Sequence, residues 1–123
     1  MPFHIEYDAD QEIIVATFLG EINMTLVKEY IAALLPVLER TGCRRLLSDS
    51  RGGELKVTAM DIMKFPEMAG AHPLIANLKR AVLAHPGTSG YELYETLSGI
   101  QGQTVRVFAD KADAMAWLLA DED

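Results

Sequence analysis

The segment Asp49-Ser50-Arg51-Gly52 brings together a carboxylate, a hydroxyl, a guanidinium and a flexible backbone position. It follows a short apolar run, and open α/β sheets bind ligands beyond the carboxyl ends of their parallel strands. Ser50 offers a hydroxyl for binding or modification, and Gly52 permits a close backbone approach. A surface turn, in which Asp49 and Ser50 hydrogen-bond their own backbone, is the alternative. The sequence therefore predicts a loop over residues 50–56 and leaves both roles open for it.

A second polar stretch, residues 86–90, carries Thr88 and Ser89 ahead of a predicted helix. Free N–H groups at a helix N-terminus can receive an anion, so these two residues are candidates for an anion site. The alternative is that Thr88 or Ser89 acts as an ordinary N-cap. The stretch lacks the lysine and the spacing of a P-loop, so nucleotide hydrolysis is not predicted.

Soft apolar side chains are concentrated around the predicted second helix. They are Met60, Met63, Phe65 and Met68. Methionine adapts to irregular surfaces, so these residues are candidates for the wall of a nonpolar-ligand site or for a partner surface. Packing into the core is the alternative.

No arrangement of residues indicates a metal, a cofactor or a catalytic centre. His4, His72 and His85 are far apart in the sequence and lack metal-ligand spacing. Ser50, His85 and Asp49 could be imagined as a nucleophile, a base and an orienting acid, but the G-x-S-x-G elbow is absent. We expect no bound metal, no cofactor and no enzymatic activity.

Composition limits the classes of protein to which the chain can belong. Its 123 residues suffice for one domain over residues 1–123. A formal net charge of −7 disfavours nucleic-acid binding, and a single cysteine excludes an internal disulfide. The first residues do not resemble a secretory signal, and no apolar run reaches the roughly 20 residues of a membrane span. The expected location is the cytoplasm.

The elements that position these residues begin with a predicted hairpin. Phe3, Ile5 and Tyr7 alternate with polar residues, which is typical of an edge strand with one wet face. Residues 12–20 are apolar at both parities, which indicates a strand buried on both faces. An exposed edge strand can also pair between two chains, so a homodimer is a possible assembly.

Helical patterns follow this hairpin. The first predicted helix covers residues 25–40, with Pro36 inside it and Gly42 after it. Thr58 and Asp61 form a capping box for a second helix, which we expect to end at or before Pro66. A short helical turn is expected within residues 67–77.

The third and last helices are each paired with a strand. Ser89 and Glu92 are predicted to cap a third helix, and its predicted apolar face consists of Leu93, Leu97 and Ile100. Residues 79–84 form the strand before it. The last strand, residues 105–108, leads directly into a final helix capped by Asp110.

This order of elements, β-β-α-β-α-β-α-β-α, predicts an α/β domain. Strands separated by helices require crossover connections, so most of the sheet should be parallel. We expect a single mixed, mostly parallel five-stranded sheet with an antiparallel N-terminal edge hairpin and helices packed around it.

Four stretches in this order resemble the SpoIIAA-like STAS family of small bacterial proteins: HIEYDADQEIIVATFLGEI, RRLLSDSRG, LKRAVLAH and VRVFADKADAMAWL. The resemblance implies this same fold, a protein partner, and a switch by phosphorylation of a serine in a D-S-x-G loop. Asp49-Ser50-Arg51-Gly52 matches that loop residue by residue. Five residues, 53–57, then intervene before Thr58, which occupies the helix start instead.

The resemblance favours a non-enzymatic regulatory or protein-interaction module, switched at the Asp49-Ser50-Arg51-Gly52 loop or at Thr58. The same branch is similar in fold to CRAL-TRIO-like lipid carriers. The alternative function is therefore a carrier or sensor of a small nonpolar ligand.

Overall fold

The computed structural model describes residues 2–120. The elements follow in this order: β1 (Phe3–Asp8), β2 (Ile13–Ile22), α1 (Met24–Thr41), β3 (Arg45–Leu55), α2 (Ala59–Gly70), α3 (Pro73–Ala76), β4 (Lys79–Leu83), α4 (Tyr91–Ile100), β5 (Thr104–Phe108) and α5 (Lys111–Leu119). The short α3 is the helical turn predicted within residues 67–77. In the described part of the chain, no helix has the length and apolar character needed to cross a membrane.

The five strands form one sheet in the order β1-β2-β3-β4-β5. β1 and β2 are antiparallel, and the other three neighbouring pairs are parallel. Each parallel pair is joined through at least one helix, as crossover connections require. The predicted fold class is confirmed, with β1 at one edge of the sheet.

The two faces of the sheet are covered unequally. Because neighbouring strand residues point to opposite faces, Leu46 packs with α1 while Leu47 packs against Ala114 and Leu118 of α5. Helices α1, α2, α3 and α4 lie on the Leu46 face, and α5 lies on the other. On the Leu46 face, any cavity between the sheet and these helices is therefore bounded by helices on the side opposite the sheet.

Helix α1 begins and ends as its sequence predicts. The Asn23 side chain accepts a hydrogen bond from the Leu26 N–H at 2.9 Å. Gly42 ends the helix in the left-handed region, with φ of 66°, which glycine adopts without steric cost. Pro36 lies inside the helix without ending it.

The predicted loop over residues 50–56 is wrong, because β3 continues to Leu55. Gly52 and Gly53 pair with Leu19 and Gly20 of β2 beyond an irregularity in the register. A Cβ at Gly52 would lie 2.9 Å from Leu19 Cδ2 and 3.2 Å from the Phe18 carbonyl oxygen. Gly52 and Gly53 therefore allow β2 and β3 to approach closely. This pairing is possible because β2 is long enough to lie beside both glycines.

The predicted end of α2 at or before Pro66 is also wrong, since the helix runs on to Gly70. Pro66 is fully buried. Its ring removes one backbone N–H from the helix, and its carbonyl oxygen accepts a hydrogen bond from Gln103 Nε2 at 2.7 Å. Burial of the proline against the domain compensates in part for the missing helical bond, so the helix continues past it.

Helix α4 departs from prediction in its cap and in its inner face. Its N-cap is Gly90, with no side-chain cap bond, so Ser89 is not the cap. Tyr91 and Ser98 are the buried residues, whereas Ile100 is 76% exposed. Tyr91, Tyr94 and Ser98, spaced three and four residues apart, form the inner face of the helix.

Candidate functional site

Asp49, Ser50 and Arg51 lie in β3, so their side chains alternate between the two faces of the sheet. Asp49 and Arg51 share the α5 face. Arg51 Nε donates to Asp49 Oδ1 at 2.9 Å, and Arg51 Nη2 donates to Asp49 Oδ2 at 2.9 Å. These bonds hold the pKa of the Asp49 carboxyl below its usual value, against a smaller opposing effect of burial. The carboxylate and guanidinium therefore satisfy one another.

Ser50 points to the opposite face and is only 8% exposed. It lies beside Tyr91, whose pKa is raised by burial and partly lowered by the Ser50 hydroxyl. The side chains of the predicted switch segment therefore lie on two different faces of the sheet. Its hydroxyl faces the helices, while the Asp49 carboxylate and the Arg51 guanidinium lie on the opposite face of the sheet.

Thr58 is the predicted switch residue that lies at a helix start. It is the N-cap of α2 and is exposed. Thr58 Oγ1 accepts from the Asp61 N–H at 3.1 Å, and the Thr58 N–H donates to Asp61 Oδ2 at 3.2 Å. The predicted capping box is confirmed, and it fixes the Thr58 hydroxyl at the positive end of the helix dipole.

A cavity of about 130 Å³ lies between the sheet and the helices on the Ser50 face. Its walls are mostly apolar. Helical side chains that line it include Val27, Tyr30, Ile31 and Leu34 of α1, Ile62, Phe65 and Ala69 of α2, and Tyr91 and Tyr94 of α4. The sheet contributes Ser48 and Ser50 of β3 and Arg80 of β4.

Of the four residues of the predicted nonpolar-ligand wall, Phe65 lines this cavity and the three methionines do not. Met60 and Met63 are 72% and 57% exposed, so they neither line the cavity nor pack into the core. Met68 is partly buried outside the cavity lining. The inner face of α2 is set by Ile62, Pro66 and Ala69, which are buried at helical spacing.

Two polar atoms at this cavity have no hydrogen-bond partner among residues 2–120. They are the buried Tyr30 Oη and Arg80 Nε. The Tyr30 ring packs edge-on against Phe18, with ring centroids 4.8 Å apart. Burial raises the pKa of Tyr30 well above its usual value, and the Ser48 hydroxyl offsets part of that rise without reaching hydrogen-bond geometry. Tyr30 is therefore a neutral hydroxyl.

Arg80 is 5% exposed and is held by neutral groups. Its Nη1 donates to Tyr94 Oη at 3.0 Å, and its Nη2 donates to Gln103 Oε1. None of the ion pairs within residues 2–120 includes Arg80. Buried charges are normally paired, so this guanidinium is the strongest chemical feature of the cavity.

Sequence reasoning missed Tyr30 and Arg80. A signal for Arg80 was present, because it shares a parity with Val82 in a strand that is apolar apart from Lys79 and Arg80. A charged residue among the apolar residues of a strand that is covered on both faces is expected to be buried. Tyr30 lies at helical spacing with Leu26 and Leu34 in the first predicted helix, and nothing in the sequence indicates that its hydroxyl would lack a hydrogen-bond partner among residues 2–120.

A wider polar cleft of about 520 Å³ lies at the amino ends of β3, β4 and β5, where Arg45, Lys79 and Thr104 begin the strands. Ligand sites of open α/β sheets lie at the carboxyl ends instead. The smaller cavity extends along β3 from Leu46 to Leu55, toward that end. We therefore take the smaller cavity as the candidate site.

Thr88 and Ser89 are exposed in the segment before α4. The Thr88 N–H donates to the His85 carbonyl oxygen at 3.2 Å, and His85 Nε2 lies 3.1 Å from the Arg51 carbonyl oxygen. An anion site at Thr88 and Ser89 stays a prediction. Over residues 2–120, no cluster of three or more histidine, cysteine or acidic side chains is arranged to hold a metal.

Comparison with protein-family models gives no match, and neither does comparison with curated proteins. Solved structures do match. An anti-sigma factor antagonist from Mycobacterium paratuberculosis has a TM-score of 0.64 and 16% identity, over 96% of this chain and 95% of that one. A DUF3478 protein with a SpoIIAA-like fold from Shewanella loihica has a TM-score of 0.57 and 20% identity, over 94% of this chain and 91% of that one.

The Bacillus cell fate determinant SpoIIAA in its phosphorylated form has a TM-score of 0.54 and 13% identity, over 94% of this chain and 97% of that one. These identities are low, so the likeness establishes the fold alone. The resemblance read from the sequence is confirmed at that level: the chain has the SpoIIAA-like fold.

Proposed function

We propose that the protein is a non-enzymatic regulatory module that binds a partner protein through the surface around the start of α2. The observation that carries this proposal is the exposed, capped Thr58 on a fold shared with anti-sigma factor antagonists along almost the whole chain. The partner class that follows is an anti-sigma factor. This step rests on analogy of fold together with the local geometry of α2.

Thr58 is the better residue for a phosphorylation switch than Ser50. A kinase must reach the hydroxyl, and Thr58 is exposed while Ser50 is buried in β3. A phosphate adds about −1.5 to −2 charges at neutral pH, and the positive end of a helix dipole accommodates such a charge. The neighbouring Asp61 carboxylate would be repelled, which alters the surface that a partner meets.

Exposed apolar side chains supply a further part of this proposed surface. Met60 and Met63 lie on the first two turns of α2 and are largely exposed. Methionine adapts to different partners, and exposed apolar groups are common at protein interfaces. The start of α2 thus combines a modifiable hydroxyl with adaptable apolar contacts.

The test is binding of the purified protein to the purified anti-sigma factors encoded in the same genome, measured by biolayer interferometry. We expect one of them to bind, and both Thr58→Asp and Met63→Glu to weaken it about tenfold or more. Ala32→Glu, at an exposed position of α1, is the matched control and should bind normally. Absence of binding by every anti-sigma factor would contradict the proposal.

A second candidate function, a carrier or sensor of a small nonpolar ligand, is favoured by the apolar cavity. Its volume of about 130 Å³ is close to that of an engineered cavity of about 150 Å³ that binds benzene. The cavity therefore suits a ligand of about one ring and not a long acyl chain. A homodimer through the β1 edge stays a separate prediction, to be tested by light scattering.

A further inference from the structure

We propose that the cavity binds a small organic acid, with its carboxylate at Arg80 and Tyr30 and its apolar body among the side chains of α1 and α2. This inference rests on the second candidate function, because it requires that the cavity hold a ligand. It changes the expected ligand from a nonpolar molecule to a carboxylate with a small apolar group.

The charge of the cavity is the first step. A guanidinium is protonated at any pH that a protein tolerates, so Arg80 carries a full positive charge at 5% exposure. Tyr94 and Gln103, its hydrogen-bond partners, are neutral. A buried cation stabilised only by neutral groups is a strong attractor for an anion that can enter the same space.

The free donors are the second step. Arg80 Nε carries one N–H, and Tyr30 Oη carries one O–H, and neither makes a hydrogen bond among the described residues, although the Ser48 hydroxyl lies close enough to Tyr30 to lower its pKa. Both residues line the same cavity. Because burial keeps Tyr30 in its neutral form, its hydroxyl can donate. A carboxylate accepts hydrogen bonds through two oxygens, which matches two donors from two directions.

The charge of the site favours a carboxylate over a phosphate. Arg80 contributes one positive charge, and among residues 2–120 no lysine or second arginine lines the cavity. A phosphate monoester carries up to about two negative charges at neutral pH, so one of them would be buried without a counterion. A carboxylate carries a single charge and leaves none unpaired.

The cavity walls determine the size and the apolar character of the ligand beyond its carboxylate. Ile31 and Leu34 of α1 and Ile62 and Phe65 of α2 offer only apolar atoms. A volume of about 130 Å³ accommodates one ring or a short chain of carbons. Benzoate combines this apolar size with one carboxylate, so it is a suitable probe of the site.

The experiment is calorimetric titration of the full chain with benzoate, its neutral isostere benzamide, and benzene. We expect benzoate to bind more tightly than benzamide or benzene. Arg80→Met should weaken benzoate about tenfold or more, since it removes the charge and keeps an apolar stem. Tyr30→Phe, which removes only the hydroxyl, should weaken benzoate by a smaller factor and should leave benzene unchanged. Arg51→Met, at an arginine outside the cavity, should bind as the unchanged protein does.

Each outcome separates this inference from the function on which it rests. If benzene or benzamide binds as tightly as benzoate, the organic-acid inference is overturned and the nonpolar carrier is supported. If none of the three probes binds, both are overturned. If Arg80→Met does not fold, Tyr30→Phe decides alone, and unchanged benzoate affinity in that variant overturns the inference.

Discussion

Asp49 and Arg51 meet at two points on one face of β3, with both nitrogen–oxygen distances at 2.9 Å. Residues two apart in a strand share a face, so Ser50 between them must point the other way. The residues that resemble a phosphorylation motif in the sequence are therefore divided by the sheet. A charge added to Ser50 would enter the cavity face, and a charge added to Thr58 would enter solvent.

Ser50→Asp should destabilise the fold, whereas Thr58→Asp should leave its stability almost unchanged. Ser50→Asp places a carboxylate at a buried position of β3, which should lower the free energy of unfolding by about 2–4 kcal/mol. Thr58→Asp keeps a favourable N-cap at the positive end of a helix dipole and should change it by less than about 0.5 kcal/mol. Urea denaturation measures both, with Ser50→Ala as the matched control. Equal losses in the two aspartate variants would contradict the burial of Ser50.

The parts of the fold that the sequence predicted depend on local chemistry. The Thr58–Asp61 capping box, the Gly42 terminus and the alternation in β1 are encoded within a few residues. The extension of β3 through Gly52 depends on the length of β2, which is distant in the sequence. A pattern of glycines indicates a loop only when no partner strand lies beside it.

The candidate site was harder to predict than the fold. The cavity is built from α1, α2, α4 and the sheet, so its lining depends on which face each helix turns inward. The methionines of α2 and the leucines of α4 suggested faces that the structure places outside. Both errors have the same cause, since an apolar stripe of two or three residues does not determine the orientation of a short helix.

The Asp49–Arg51 pair should be visible in a pH titration. Its hydrogen bonds lower the pKa of Asp49 in the folded state, so the pair stabilises the fold above the unfolded value of about 3.9. That stability is lost as the pH falls through the lower, folded-state pKa. We expect Arg51→Met to raise the Asp49 pKa measured by NMR. The difference in Tm from the unchanged protein should be small, largest near neutral pH, and absent at the acid end.

Lys56→Met is the matched control for that titration. Lys56 pairs with Glu54 at 2.9 Å, also two residues apart in the sequence, so its removal deletes a similar exposed ion pair. It should leave the Asp49 pKa unchanged. A rise in the Asp49 pKa in both variants would show that general charge, and not the two-point contact, lowers it.

The two helix-internal prolines should respond differently to alanine. Pro36 is exposed in α1, so Pro36→Ala restores a backbone bond to the Ala32 carbonyl without loss of packing. It should raise the free energy of unfolding by about 1–3 kcal/mol. Pro66 is fully buried, so Pro66→Ala restores a bond but leaves a void, and its gain should be smaller. Guanidinium denaturation of the two variants makes the comparison, and an equal gain would contradict the packing role of Pro66.

Gln103→Glu should neutralise the buried charge of Arg80 from within the protein. The Gln103 side-chain oxygen already accepts from Arg80 Nη2, so the substitution places a carboxylate at that contact and neutralises the buried charge. Benzoate affinity should fall about tenfold or more, whereas benzene affinity should be unchanged. Calorimetric titration of the variant with each probe measures both.

Gln103→Leu separates the charge of that variant from the loss of other contacts. Both substitutions remove the Nε2–H bond to the Pro66 carbonyl oxygen, but only Gln103→Glu adds a negative charge. Gln103→Leu deprives Arg80 of a neutral acceptor and leaves its charge, so benzoate should bind at least as tightly as in the unchanged protein. Opposite effects of the two substitutions on benzoate would assign the attraction to the net charge of Arg80. A similar loss of benzoate affinity in both variants would assign the attraction to the shape of the wall that Gln103 supports. That result would contradict binding of the carboxylate by the Arg80 guanidinium.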